Sequence, residues 1–552
     1  PRTPKNTRAA AATANVQSVP SVPSAPTAKS KSKKKPADPT GPPVGFVFGG
    51  LLAISSLRMP SEISLDDALR EPSVVSRPLC VGLDGTVVTT RLSWERLALM
   101  FRRRPWLAVA MPFWMMGGPQ SMRRRVAASV QLDPAALPYR KSLISALKLA
   151  RESGRRVVLA SATDRAEAER VADHLGIFDA VHAPPDEVSQ LEKWQDSLQG
   201  TFPDGFDYIG HSSAEGALFA VAKQGYLVGA APGAVAAARN YKQVTVVSRR
   251  PSILRALMAE LRPHQWAKNA LVVLPVLLAP VTPPAWSLVE AVIAAGTFSL
   301  CASAGYVFND LLDLDADRIH STKAKRPFAS GSLPIVLGFP LFVGLLLLSF
   351  SLAIAWLPWA FVAMLALYFV GTLSYSLFLK RLLLLDVLVL AGLYTHRILS
   401  GGIATGVKVS AWLLGFSMFL FTSLAFAKRY VELHALTSDE KVKNRGYFRA
   451  DLPMITGMGT ASGYIAALVF MLYVDSTAVR AAYREPALLW LVLPALLYWL
   501  GRIWLLAGRG QMQEDPVKFA LRDRKSLACI GIVGLVAVAA RFTPSWLSAL
   551  LH

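Results

Sequence analysis

The sequence predicts a chain in two parts: a soluble α/β domain built on a parallel sheet, then an all-α polytopic membrane domain of about nine transmembrane helices. Three observations predict it. Hydrophobic residues make up 53% of the 552 residues and mean hydropathy is +0.37, which favours a membrane protein over a large soluble enzyme. Between about 74 and 247, apolar runs ending in polar turns alternate with helical stretches, the pattern of a parallel sheet with its site at the strand C-termini. From Ala270 onward, apolar segments of spanning length or slightly less recur at about 268–282, 286–308, 333–356, 358–378, 383–403, 409–427, 452–474, 486–507 and 527–548.

In chain order, residues 1–45 are rich in Ala, Ser, Pro and Lys, cannot bury a core, and read as a disordered basic tail. Residues 46–75 read as a linker, 76–247 as the α/β domain, 248–267 as an interfacial joining segment and 268–552 as the membrane domain. The net charge of +22 does not imply nucleic acid, because the cations gather beside apolar spans and no nucleic-acid motif is present. Basic residues cluster at 318–326, 380–381, 428–449 and 509–525, in alternate loops. The positive-inside rule then places the soluble domain and those loops in the cytoplasm, with His552 outside. Cys80, Cys301 and Cys529 are scattered in apolar settings, without metal or disulfide spacing. Oligomeric state is not legible. Inside the α/β domain, Pro105 to Gly118 carries Trp and Met between Arg102–Arg104 and Arg123–Arg125, as a piece lying in the membrane interface would; a buried cap helix is the alternative.

The strand-like runs lead to particular residues. Arg77 to Val81 leads to Gly82, Asp84, Gly85 and Thr86; Val157 to Ala160 leads to Ser161; Phe206 to Ile209 leads to Gly210, His211, Ser212 and Glu215. These positions resemble the haloacid dehalogenase-like phosphotransferases, whose Rossmann-like sheet carries Asp-x-Asp-Gly-Thr, a Ser/Thr, a Lys and Gly-Asp-Ser-x-x-Asp. Asp84, Gly85, Thr86 and Ser161 match, and Lys193 is a weak match for the Lys. Gly82 stands where that family has its nucleophile, and His211 and Glu215 stand in its metal-binding motif. Without a carboxylate at 82 no aspartyl-phosphate can form. The resemblance therefore implies a catalytically impaired domain, left to bind a phosphate or to serve as a scaffold.

In the second half Asn309, Asp313 and Asp317 recur every four residues, so on a helix they share one face. Three hard oxygen donors there suit Mg²⁺, which favours carboxylates together with phosphate oxygens. His320, Lys323, Arg326, Pro327 and Gly331 follow. Other polar groups fall at the same ends of the spans: Lys268 and Asn269, Tyr375 and Lys380, Asp386, Lys428, Arg429 and Glu432, Arg445 and Tyr447, Asp515 and Asp523. Arg397 lies within an apolar segment and calls for an anionic partner.

Residues 260–552 resemble the UbiA-type intramembrane prenyltransferases through Asn309, Asp313, Asp317, Arg326, Pro327 and Gly331. The segment from Leu261 to Asn269, His320 with Lys323, Tyr375 to Lys380, Arg397 before Gly401-Gly402, and Lys428 to Tyr430 are more similar to the polyprenyl-phosphate phosphoribosyltransferases. The second acidic motif of aromatic prenyltransferases is absent between 428 and 452. The resemblance implies Mg²⁺ on Asn309, Asp313 and Asp317, and phosphoribosyl diphosphate clamped by Lys323, Arg326, Lys428 and Arg429. It implies a polyprenyl phosphate held by Lys268, Lys380 and Arg397, with Asn269, Tyr375 and His320 as further substrate contacts. Two alternatives stay open: prenyl transfer from an isoprenyl diphosphate to an aromatic or lipid acceptor, and a membrane scaffold with a pseudo-phosphatase domain.

Overall fold

The computed structural model describes residues 76–161, 165–183, 191–279, 283–320, 322–436, 445–512 and 515–542, with Leu69. The expected basic tail, and the linker apart from Leu69, lie outside the described residues, as does His552.

Six short strands form one parallel sheet: β1 (Leu79–Gly82), β2 (Val157–Ala160), β3 (Ala180–His182), β4 (Asp207–Gly210), β5 (Gly225–Leu227) and β6 (Val244–Val246), in the order β3-β2-β1-β4-β5-β6. β1, β2 and β4 are buried at every residue, as strands covered by helices on both faces must be. One core holds Leu79, Val81, Val157 and Leu159; the other holds Cys80, Val158, Ala160 and Tyr208. The strand order reverses between β1 and β4, so the crevice of this sheet opens beside Gly82 and Gly210. Helix α1 (Leu92–Arg103) follows β1. After it, the expected interfacial piece folds as short helical turns on which Trp106, Phe113, Met115 and Met116 are exposed. It is not a buried cap.

Helix α2 (Ile253–Leu261) leads to the membrane half and ends at Arg262, whose φ of 52° is left-handed. That conformation costs roughly 1–2 kcal/mol for a side chain with a Cβ. Two contacts offset it: Arg262 pairs with the buried Asp310 and lies 5.0 Å from the centroid of the Tyr306 ring. Eight long apolar helices among the described residues have the length and composition to cross a membrane. They begin with α3 (Ala285–Leu312), which is continued by the short α4 (Leu314–Ile319). Then come α5 (Gly338–Trp356), α6 (Trp359–Leu377), α7 (Leu385–Thr405), α8 (Ala411–His434), α9 (Leu452–Val474), α10 (Val492–Gly508) and α11 (Arg524–Phe542).

The expected ninth helix, 268–282, is corrected. After the turn Pro263–Trp266 just before it, its described part is broken into the turns Ala267–Val272 and Leu274–Leu277. Pro263 and Pro275 each lack the N–H that an unbroken helix would use. The segment still traverses the bundle. Arg262 meets Asp310 at the C-terminal end of α3, whereas Ala279 accepts a hydrogen bond from Arg541 at the far end of α11, and Ala285 begins α3 at the opposite end. The turns pack on α7, where a Cβ on Gly401 would overlap the Val272 carbonyl oxygen.

The soluble and membrane parts are joined by polar contacts to the loop that carries the acidic motif. Glu95 of α1 receives Arg318, Arg102 pairs with Asp315, Thr89 donates to the Ser330 carbonyl and Arg250 to the Gly331 carbonyl. Gly331 has φ 73°, and a Cβ there would overlap the Thr89 hydroxyl.

Candidate functional site

The expected oxygen ligands sit where α3 leaves the bundle. The i→i+4 backbone bonds run through the helix end: Asp313 N–H donates to the Asn309 carbonyl at 2.9 Å, and Asp317 N–H to the Asp313 carbonyl at 2.8 Å. Asn309 lines a small cavity with Tyr368, Thr372 and Ser376. The Asp313 carboxylate is half-exposed, 3.8 Å from Lys380 Nζ. Asp317 departs from the expectation. It is buried and bound to Arg326 Nη1 at 2.5 Å, and that same nitrogen lies 3.0 Å from Asp310. Burial raises the Asp317 carboxyl above its ordinary range, against the opposing pull of Arg326. Among the described residues no three His, Cys, Asp or Glu side chains converge as a metal cluster. Asn309 and Asp313 remain as oxygen donors one helical turn apart along the backbone, the donor type taken by Mg²⁺, an ion that keeps much of its shell as water and substrate phosphate.

Asp310 was missed as a site residue, although it is buried and takes both Arg262 and Arg326. Glu260 lies near it, fully buried, with neither oxygen accepting a hydrogen bond. Burial, then the Asp310 charge, push Glu260 up to about 8. The signal was present in the sequence: two carboxylates bordering an apolar stretch, with arginines two and sixteen residues away.

A second cluster lies at the start of α7. Asp386, buried, accepts from Tyr447 Oη at 2.6 Å and faces Arg429 Nε and Arg445 Nη1 at 3.4 Å each. Arg445 also reaches the Tyr375 hydroxyl at 3.3 Å and Glu432 at 3.4 Å. Tyr447 accepts from the N–H of Leu384, whose φ of 63° turns the chain into α7. Arg429, expected as a diphosphate clamp, is 1% exposed and bound to Glu432, so it orders this cluster instead. His320 and Lys323 lie on the exposed side of the loop; His320 Nδ1 accepts from Thr322 N–H at 3.3 Å.

The third cluster is cationic. Lys428 and Lys268 approach the same Asp515 oxygen at 3.0 and 3.4 Å. Burial opposes ionisation of Asp515, but the two lysines outweigh it and hold the carboxyl well below the usual range. Lys268 Nζ and the Arg397 guanidinium both lie over Tyr394, at 5.8 and 5.5 Å from the ring centroid. Arg397 takes no carboxylate among the described residues. It donates to Asn269 Oδ1 at 2.9 Å, the Leu393 carbonyl at 2.7 Å and Tyr368 Oη at 2.8 Å, and lies over the Tyr368 ring.

At the expected second site, the strand ends of the soluble domain, the positions of the phosphatase motifs are engaged by the domain's own groups. A Cβ on Gly82 would stand 3.1 Å from both Thr86 Oγ1 and Tyr208 Oη. Asp84 accepts the Leu92 N–H at 2.9 Å. Glu215 accepts the N–H groups of His211 and Ser212 at 2.8 and 2.9 Å. The His211 ring packs over Gly85, and its Nδ1 lies 3.3 Å from Thr86 Oγ1. Ser161 is buried behind β2. The Lys193 side chain lies outside the described residues.

The membrane bundle thus holds a buried acidic corner around Asp310 and a cationic cluster around Asp515 and Tyr394. The model of the UbiA prenyltransferase family matches residues 270–525. The chain is 33% identical over 459 residues to uncharacterized protein y4nM of Sinorhizobium fredii, covering 81% of this chain and 88% of that one. The chain belongs to the UbiA prenyltransferase family. An alignment of 459 residues cannot fit within 263–552, so it takes in the soluble domain too. The decaprenyl-phosphate phosphoribosyltransferase of Mycobacterium tuberculosis is 36% identical over 195 residues, which are 34% of this chain and 64% of that protein. A solved UbiA homologue from Archaeoglobus fulgidus, bound to DMAPP and Mg²⁺, aligns with 51% of this chain and 98% of its own, at 14% identity and a TM-score of 0.39.

Proposed function

We propose that this multi-span membrane protein is a Mg²⁺-dependent transferase that moves 5-phosphoribose from phosphoribosyl diphosphate to a polyprenyl phosphate, at the cytoplasmic mouth of the bundle in a bacterial inner membrane. The observation that carries this reading is the charge around Tyr394: Lys268 and Lys428 share one carboxylate, Asp515, and Arg397, which lies over the same ring as Lys268, has none among the described residues. Three cations for one anion suit an incoming phosphate monoester, which an aromatic acceptor would not supply. The partial similarity to decaprenyl-phosphate phosphoribosyltransferases supports the same reading.

Asn309 and Asp313 would hold Mg²⁺, which supplies charge neutralisation to the departing diphosphate. Lys380 adds positive charge beside Asp313, Lys323 acts on Asp317, and Asp310 and Asp317 hold Arg326 in place. The acceptor phosphate oxygen, fixed by Lys268, Lys428 and Arg397, attacks C1 of the ribose as the C1–O bond to diphosphate breaks. The nucleophile is already an anion, so no general base is needed.

Purified protein given labelled phosphoribosyl diphosphate and a polyprenyl phosphate transfers label to lipid in the presence of Mg²⁺, and Asp313→Ala abolishes transfer. Label entering lipid only from an isoprenyl diphosphate would replace this reading by prenyl transfer, and wild-type activity of Asp313→Ala would remove the site.

A further inference from the structure

The crevice of the soluble domain is closed to phosphatase chemistry but not to a ligand. A cavity of about 420 Å³ opens at the C-terminal ends of β1, β4 and β5, between Gly85, His211 and Gly229 on one side and Pro334–Val336 of the membrane domain on the other. That volume suits a small organic ligand. Its guanidiniums are Arg91 and Arg250, with Trp94, Ser212 and His211 beside them; among the described residues no carboxylate lines it, the nearest to His211 being Glu215, 3.6 Å from its Nδ1.

A third guanidinium lies behind this lining. Arg140 packs against Gly229 and donates to the Thr86 and Gly85 carbonyls at 3.1 and 3.0 Å. Among the described residues, Arg91, Arg140 and Arg250 have no carboxylate partner. Burial and the neighbouring Arg250 charge lower the Arg140 value, so the two guanidiniums repel each other. Like charges gathered in a cavity without counter-charge leave room for an anion.

The groups that would turn over a phosphate ester are otherwise engaged. Gly82 offers no nucleophile, Asp84 caps α1, and Glu215 accepts from its own turn. Arg250 and Thr89 both line the cavity and both hold the loop that follows Arg326, through the Gly331 and Ser330 carbonyls at 3.1 Å each.

We propose that this crevice is a receptor for the phosphate-monoester end of an organic phosphate, which it binds without hydrolysis and reports to the transferase loop through Arg250. The inference does not depend on which donor the membrane site uses.

The test uses the full chain in nanodiscs with EDTA present, so that Mg²⁺-dependent binding at the membrane mouth does not contribute. Calorimetric titration with ribose 5-phosphate should show one saturable site, retained in Asp313→Ala and weakened at least tenfold by Arg91→Ala and by Arg250→Gln. Arg91 has no side-chain partner among the described residues, so its replacement keeps the receptor question separate from folding. If phosphatidic acid in the nanodisc competes with ribose 5-phosphate while phosphatidylcholine does not, the phosphate comes from a lipid headgroup; without competition it comes from solution. Either result supports the receptor. Absence of a saturable site, binding unaltered in both arginine variants, or Mg²⁺-dependent release of inorganic phosphate from ribose 5-phosphate that persists in Asp313→Ala would overturn it.

Discussion

Glu95→Ala should loosen the acidic-motif loop without touching a membrane-domain residue. Glu95 Oε1 and Oε2 accept from Arg318 Nη2 and Nη1 at 2.6 and 3.0 Å, and the side chains are 3% and 6% exposed. Arg318 also donates to the Ala136 and Ala329 carbonyls at 3.2 and 3.3 Å. Removing Glu95 leaves a buried guanidinium without its counter-charge, a loss of roughly 3–5 kcal/mol for a pair of this kind. At about 1.4 kcal/mol per decade, that weakens docking of the loop by roughly a hundred- to a few thousand-fold. Hydrogen exchange across 314–331 reads the effect directly, and faster exchange there should accompany a raised KM for the diphosphate donor. Pairing Glu95→Met with Arg318→Met should restore most of the protection, because an apolar pair of similar volume carries no uncompensated charge. Wild-type exchange and KM in Glu95→Ala would refute the claim that the soluble domain positions this loop.

Three further outcomes follow from the same geometry. Gly401→Ala should destabilise the bundle by roughly 1–3 kcal/mol or block assembly, since the new methyl meets backbone rather than a movable side chain; thermal melting in detergent checks it. Asp515→Asn should lower the melting temperature by leaving Lys268 and Lys428 with no described counter-charge, and added inorganic phosphate should recover more of it than in the wild type. Glu260, pushed up to about 8, keeps a proton in the folded protein that an unfolded carboxyl near its ordinary value loses. Stability should therefore fall as pH rises from about 4.5 to 8, and Glu260→Gln should flatten that slope in melts taken across the range.

The elements that depend on period and burial were legible in the sequence. The short runs that form β1, β2 and β4, apolar but for Asp207, announce a sheet covered on both faces, and the long apolar helices announce the bundle. Legibility stopped where proline placement and pairing decide. The composition of 268–282 satisfies a span, but only the packing of Val272 on Gly401 shows how a chain broken at Pro275 still crosses. Arg397 was expected to seek an anion; its donors instead reach Asn269, a carbonyl and Tyr368, partners up to 128 residues away that no local pattern reveals. Arg429 looks like its neighbour Lys428 in sequence, yet one turns into the Asp386 cluster and the other toward Asp515.

The acidic motif shows why spacing alone could not assign its carboxylates. A four-residue repeat puts Asn309, Asp313 and Asp317 on one face of a continuous helix, but α3 stops at Leu312 and α4 resumes at Leu314 with Asp313 between them. From that break on, the short helix answers to two neighbours. Asp317 turns to Arg326 and the buried Asp310, while Asp315 and Arg318 turn to Arg102 and Glu95 of the soluble domain. Asp313 is left half-exposed at the hinge, beside Lys380. A loop held in this way from both sides needs the soluble domain as a fixed wall. Asp84 and Glu215, spent on backbone N–H groups, rigidify the crevice edge from which Thr89 and Arg250 reach Ser330 and Gly331.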